Sequence, residues 1–315
     1  MQEIFIGEAI RQRRLALGLT QEELCEGLCE PATLSRSENG RQAPSRSRAN
    51  ALLQRLGLPN DRYYVILTPK EAEADSLQES INTCLDQFER TLGDDKLQAK
   101  RAALDGLEKL DMVIDDNDHI IKQYILAKRA VLGTVEGPYD FDTQLSMLLR
   151  AICMTVPGFA PQMMDGHLYS LDETEIINQI GAAYSLSGQN EKAAGIFGQL
   201  LSYVQGHYED VTRPSRYLSL ISHNYARELC LLGHYEKAIE IAEVGRMSCL
   251  KYGYCQFLPG LLAIAAKCWY FLKEEEKSKE RYLQAYYLYQ EIGNSSGMAT
   301  VSKEALEYLN LKLTE

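Results

Sequence analysis

Four arginines, Arg36, Arg41, Arg46 and Arg48, fall within thirteen residues and face a single carboxylate, Glu38. Guanidinium groups at this density can neutralise phosphate oxygens, or grip guanine O6 and N7 through paired N–H donors. Gln21 adds an amide which, at the first turn of a helix, can meet a phosphate beside unpaired backbone N–H groups. Ala32 and Thr33, about one helical turn before Arg36, can touch base edges through small apolar groups or the Thr33 hydroxyl. The chemistry implied is the reading of a double helix, with Arg36 as the main base contact and Arg41 and Arg46 on the phosphates.

Other reactive side chains do not assemble into a motif. The histidines are His119, His167, His207, His223 and His234, and none has a Cys, Ser or paired carboxylate at catalytic spacing. There is no G-x-x-x-x-G-K-[ST], H-E-x-x-H or G-x-S-x-G pattern. The eight cysteines contain no C-x-x-C pair and read as small buried hydrophobes, so neither metal nor cofactor is expected. Asp115-Asp116-Asn117-Asp118 lacks the glycine and distant glutamate of a calcium loop and reads as an exposed turn. The chain is not expected to be an enzyme.

The elements that hold the first set in place are short helices. Apolar Ile6, Ala9, Ile10 and Leu15 predict a helix over Ile4–Leu17, stopped by Gly18. Thr20 and Glu23 form a capping box, which puts Gln21 at the start of a second helix. Pro31 suits a first helical position and opens a third helix over Pro31–Asn39. Leu34 then faces inward, and Ala32, Thr33 and Arg36 face outward. Arg14 and Glu38 are placed to tie the first helix to the third, and Ala49–Leu56 closes the small core. Leu58-Pro59-Asn60-Asp61 and Thr68-Pro69 break the pattern. Tyr63–Leu67 has strand propensity and nothing to pair with.

Charge divides the chain the same way. The whole sequence of 315 residues carries a net charge of −11, yet its first 62 residues hold nine arginines and eight carboxylates. A near-neutral head with a basic patch, followed by an acidic body, suits a DNA reader carried on a protein-binding body. No basic, then apolar leader is seen, and no apolar run approaches the ~18 residues of a membrane span. A cytoplasmic protein without a membrane partner is expected.

Beyond Pro69 the apolar spacing is helical throughout, and the body repeats itself. Ile180–Phe197, Tyr225–Ala242 and Ala265–Tyr282 each carry small and aromatic residues on a first helix. A polar turn follows, then E-K-(A/S) opens a second helix. Ala193, Ala238 and Ser278 are matched positions, as are Tyr184, Leu229 and Trp269. Gly188 and Gly233 mark two turns, and Lys273 stands where the third glycine would be. The period resembles tetratricopeptide repeats. Such units bury their apolar faces only by stacking. The fold class expected is all-α: a five-helix-type helix-turn-helix domain over 1–61, a linker and start of a linker helix over 62–79, and a tetratricopeptide-like right-handed α-solenoid over 80–315 with a C-terminal capping helix, Ser296–Leu313.

The segment R-x-x-x-G-L-T-Q-x-x-L…S-R-x-E-x-G, from Arg14 through Gly40, resembles the XRE-type (Cro/CI-like) helix-turn-helix. Its turn, Leu28-Cys29-Glu30, is one residue shorter than in phage repressors. That turn followed by helical repeats is similar to the RNPP peptide-sensing regulators (Rgg, NprR, PlcR, PrgX). The resemblance implies a homodimer on a two-fold related DNA site, and a short signalling peptide in the concave groove of the repeats. It also implies that an asparagine on the first helix of a repeat holds the peptide backbone. Asn224 matches that position, and in the preceding repeat Gln179 matches, with Asn178 one residue away. Glu175, Ser185, Arg227, Lys267 and Tyr270 share the face by helical spacing, and Arg227 and Lys267 can receive an acidic side chain or a peptide C-terminus. The alternative is a DNA-binding regulator whose repeats serve only dimerisation or contact with another protein.

Overall fold

The computed structural model describes residues 6–58, 68–207 and 215–313. Among them are fifteen α-helices and no strand. The head holds α1 (Ile6–Ala16), α2 (Gln21–Cys25), α3 (Pro31–Glu38) and α4 (Arg46–Arg55). Then come α5 (Pro69–Arg90), α6 (Gly93–Val113), α7 (His119–Leu132), α8 (Phe141–Cys153), α9 (Leu171–Leu186) and α10 (Asn190–His207). The series ends with α11 (Ser215–Leu231), α12 (Tyr235–Tyr252), α13 (Leu258–Phe271), α14 (Glu275–Glu291) and α15 (Ser295–Leu309). Tyr63–Leu67, most of the first breaker cluster and the start of the first helix at Ile4 lie outside the described residues.

The helices gather into two compact units that do not follow chain order. The first takes residues 1–79, 106–180 and 206–213, and the second 80–105, 181–205 and 214–315. Within the first unit the head has its own core of Ile10, Leu24, Leu34, Leu52, Leu53 and Leu56. Fully burying a side chain of this size contributes roughly 1.5–3 kcal/mol, and this core fixes the angle at which α3 is presented. Leu15 departs from expectation: it is exposed. Arg14 is the buried residue of that turn instead, because a partner on α3 compensates its charge.

In the second unit the repeat signature becomes packing. Ala193, Ala238 and Ser278 are all fully buried, and the Ser278 hydroxyl donates to the Ala266 carbonyl at 2.8 Å. Small side chains there let the second helix of each pair lie close to the first. The matched turns end in one cap. The amides of Gly188, Gly233 and Lys273 donate to the carbonyls of Ser185, Cys230 and Tyr270, and the next amide reaches back five residues. This Schellman geometry requires a left-handed residue. Gly188 and Gly233 supply it at φ 77° and 81°, and Lys273 is forced to φ 66°. A left-handed L-residue costs about 1–2 kcal/mol, partly returned by the extra chain entropy a glycine would lose. Lys273→Gly is therefore expected to stabilise the chain by about 1 kcal/mol in equilibrium urea unfolding. A loss of stability would show that the Lys273 ammonium over the Tyr270 ring, 5.8 Å from its centroid, outweighs the backbone strain.

Candidate functional site

The geometry of the head is built from three helix contacts. Thr20 accepts from the Glu23 amide at 3.1 Å while Glu23 Oε2 accepts from the Thr20 amide at 2.7 Å, so α2 starts where the capping box places it. Gly7 lets α1 approach α3, since a Cβ there would stand 1.9 Å from the Ser37 carbonyl oxygen. Glu38 then joins all three helices. It accepts from Arg14 Nε at 2.6 Å, Arg14 Nη2 at 2.9 Å and Gln21 Nε2 at 2.7 Å. The Arg14–Glu38 pair is the one the spacing suggests.

Burial alone raises the Glu38 carboxyl, but the bonds from Arg14 and Gln21 outweigh it and hold the group below its ordinary value of 4.5. A depressed carboxyl contributes stability that is complete above its unfolded pKa and fades as pH falls through the folded one. The difference in unfolding free energy between the parent chain and Glu38→Gln should thus be flat from about pH 5.5 to 7 and shrink below about pH 4.5. Urea unfolding across that range checks it, and a pH-independent difference would remove Glu38 from the account.

The outer face of α3 carries the expected residues. Ala32 and Arg36 are exposed and Thr33 is half-buried. Arg36 Nη2 donates to Thr33 Oγ1 at 3.2 Å, which lays the guanidinium along the helix surface. Arg41, just past the helix, is exposed. Two residues sit differently from a simple phosphate contact. The Gln21 amide is engaged by Glu38, so α2 offers backbone N–H groups more readily than this side chain. Arg46 Nη2 pairs with Asp75 at 2.9 Å, and the Arg46 amide donates to Glu71 at 3.2 Å, which ties α4 to α5. Beside α3 runs a cleft of about 600 Å³, lined by Leu28, Cys29, Thr33 and Arg48 on one wall and Asp115 and Asp118 on the other. Cys25 and Cys29 behave as small hydrophobes: burial pushes the Cys25 thiol up to about 11 and raises Cys29.

The candidate repeat-face residues are divided between the units. Asn178 is buried and Gln179 half-buried, both in the first unit. In the second, α11, α13 and α15 lie side by side. Asn224 on α11 is almost buried, its Oδ1 3.3 Å from His223 Nδ1. Burial depresses His223 to about 4, so this ring is neutral. Arg227 Nε donates to Glu228 Oε1 at 3.1 Å and Nη2 to Ser185 Oγ at 3.1 Å, while Ser185 Oγ donates to Glu228 at 2.7 Å. Lys267 Nζ donates to Glu304 at 3.2 Å, and the Tyr270 and Tyr308 rings lie 5.2 Å apart beside it. Glu228 escapes a reading by motif. Its only signal is a carboxylate set between Ala226 and Leu229, which are both buried. Among the described residues no group of His, Cys, Asp and Glu is placed to hold a metal ion, and no helix is long and apolar enough to cross a membrane.

Residues 6–62 match a family model described as a helix-turn-helix domain. That helix-turn-helix head is followed by paired helices through the rest of the described chain. The fold of the chain is shared with PlcR of Bacillus thuringiensis, solved in complex with the peptide PapR7 and DNA. That match has TM-score 0.62 at 17% identity over 94% of this chain and 98% of the other. Apo PlcR aligns with TM-score 0.55 at 17% identity over 94% and 97%. The apo competence regulator ComR of Streptococcus vestibularis gives TM-score 0.50 at 16% identity over 96% and 97%. No curated protein sequence matches the chain.

Proposed function

We propose that the chain is a DNA-binding transcription regulator that works as a homodimer on a two-fold related DNA site, with its DNA binding controlled by a short peptide held on the repeats. The observation that carries the DNA half is the outer face of α3, where Ala32 and Arg36 are exposed beside the half-buried Thr33 on a helix locked by the Arg14–Glu38 pair. Arg36 is the base reader and Arg41 a phosphate contact. With two small residues and one arginine per head, discrimination by one head is modest, and two heads at fixed spacing supply the rest.

Gel retardation on the DNA upstream of its own coding region tests the reading. Arg36→Ala is expected to cost about 1–3 kcal/mol on the preferred site and to relax the sequence preference there. Arg41→Ala is expected to weaken all sites alike and to lower the slope of log K against log salt by about 1. Uniform losses from both variants would contradict the assigned roles.

The peptide half is supported by the fold shared with PlcR, whose structure contains a peptide, and by the polar row Asn224, Arg227, Lys267 and Tyr270 on adjoining first helices. Asn178 and Gln179 are the corresponding candidates on α9. An Asn224→Ala protein that keeps its full response to peptide would remove that residue from the role. A second reading, repeats used for protein contact alone, is favoured by exposed Met247, Leu250 and Tyr254 on and just after α12 and Tyr287 on α14. Calorimetry with short hydrophobic peptides separates the two, because only the first reading expects heat.

A further inference from the structure

Arg227 and Lys267 stand forty residues apart in the same position of consecutive repeats, as do Ala238 and Ser278. They lie on α11 and α13, which pack against each other. Each cation is paired with a carboxylate. Glu228 is fully buried and holds Arg227 Nε, with Ser185 of α9 bridging the two. Glu228 Oε2 has no hydrogen-bond partner among the described residues, so Arg227 is the cation that compensates this buried charge. The guanidinium is thereby held through Nε and Nη2. Lys267 is fixed in the same way by Glu304 at 3.2 Å, with its ammonium 5.3 Å from the centre of the Tyr308 ring. Burial pushes Lys267 down, but the Glu304 carboxylate and the Tyr308 hydroxyl outweigh it and raise the group, so it stays charged at any physiological pH.

Two fixed cations one repeat apart make a ruler. Neighbouring packed helices are separated by about 8–10 Å. A chain in the polyproline II conformation rises about 3.1 Å per residue with three residues per turn, which puts residues i and i+3 on the same side about 9 Å apart. A β-strand brings only every second residue to one side, at about 7 or 13 Å, and fits this spacing less well. We infer that the second unit selects an extended acidic peptide whose two negative groups are three residues apart, one on Arg227 and the other on Lys267. The residues between them would lie against Tyr270 and Tyr308. In a chain with a net charge of −11, selection of an acidic ligand has to come from local cations of this kind rather than from the overall field. This inference rests on the peptide reading above and adds its charge pattern.

The test uses synthetic heptapeptides of Ala, Leu and Phe, acetylated and amidated at their ends, with two Asp residues two, three, four or five positions apart. An Asp-free peptide is the control. Binding to the full chain is measured by calorimetry. Charge-assisted bonds at both ends should favour spacing three by about tenfold over spacing two or four. Lys267→Gln, and Arg227→Gln combined with Glu228→Gln so that no buried charge loses its partner, should each remove that preference, read as the ratio of affinities between spacings within each variant. A flat profile, a preference for another spacing, or a profile unchanged in both variants would overturn the inference while peptide binding stands. Failure of every peptide, the Asp-free one included, would overturn the peptide reading itself and the inference with it.

Discussion

Glu173→Ala is expected to lower the unfolding free energy by about 3–5 kcal/mol, the usual result of leaving a buried charge without its partner. Arg55 is 2% exposed and Glu173 1% exposed at the side chain, and the pair closes at 2.9 Å. The same guanidinium donates to the Thr155 carbonyl at 2.8 Å and to the Glu26 carbonyl at 2.6 Å, at the end of α2. Carbonyl oxygens accept from both Nη atoms, Nε has no hydrogen-bond partner among the described residues, and none of these bonds cancels the charge. Glu173 has a second task, since its other oxygen accepts from the Ser170 amide at 2.6 Å at the start of α9. The double variant Arg55→Met with Glu173→Leu should recover most of the loss, because apolar residues of similar volume can replace a buried pair with little penalty. Urea unfolding of the two variants decides the matter. A loss below about 1 kcal/mol for Glu173→Ala would place the pair with weak surface bridges.

The second large effect is expected at Gly27, in the turn between α2 and α3. Its φ is +69°, and an added Cβ would stand 2.0 Å from the Thr155 carbonyl oxygen. Gly27→Ala therefore meets two penalties. The left-handed backbone costs about 1–2 kcal/mol. Overlap with a backbone atom that has no rotamer to change adds about 1–3 kcal/mol. Gly18 and Gly40 separate these contributions, because both have positive φ yet nothing lies within 4 Å of the added carbon. Gly18→Ala and Gly40→Ala should each lose only the backbone part. Thermal unfolding of the three variants gives the comparison, and equal losses at all three would mean that the Thr155 backbone moves aside.

What could be read from the sequence was what local rules decide. Thr20 and Glu23 stand at capping-box spacing, Pro31 opens a helix, and Arg14 and Glu38 fall at the ends of facing helices. All of these need only the residues nearby. The repeat positions Ala193, Ala238 and Ser278 were legible because a helix crossing demands a small side chain each time, whatever surrounds it. Partners far along the chain were not legible. Arg46 looked like a phosphate contact because nothing near it announces Asp75. Gln21 looked exposed because its amide meets Glu38 only after α3 folds back. Leu15 looked like core because a buried arginine beside it is improbable until its carboxylate is known. Arg55 sits in a basic, polar helix and gives no hint of being buried. Glu228, beside Arg227, offered no helix-face argument, since neighbours in sequence point in different directions.

The partners of Arg55 also set a timetable. Glu173 follows it by 118 residues, and His207, whose Nε2 lies 2.7 Å from the Arg55 carbonyl oxygen, follows by 152. At a synthesis rate of about 5–20 residues per second, the head waits roughly 8–30 s on the ribosome before both have been added. During that interval its last helix carries a guanidinium without its counter-charge, and the turn at Gly27 has no Thr155 to rest on. The helix-turn-helix end is translated before the residues that complete it, so a nascent or truncated chain ending short of α9 presents an unfinished head.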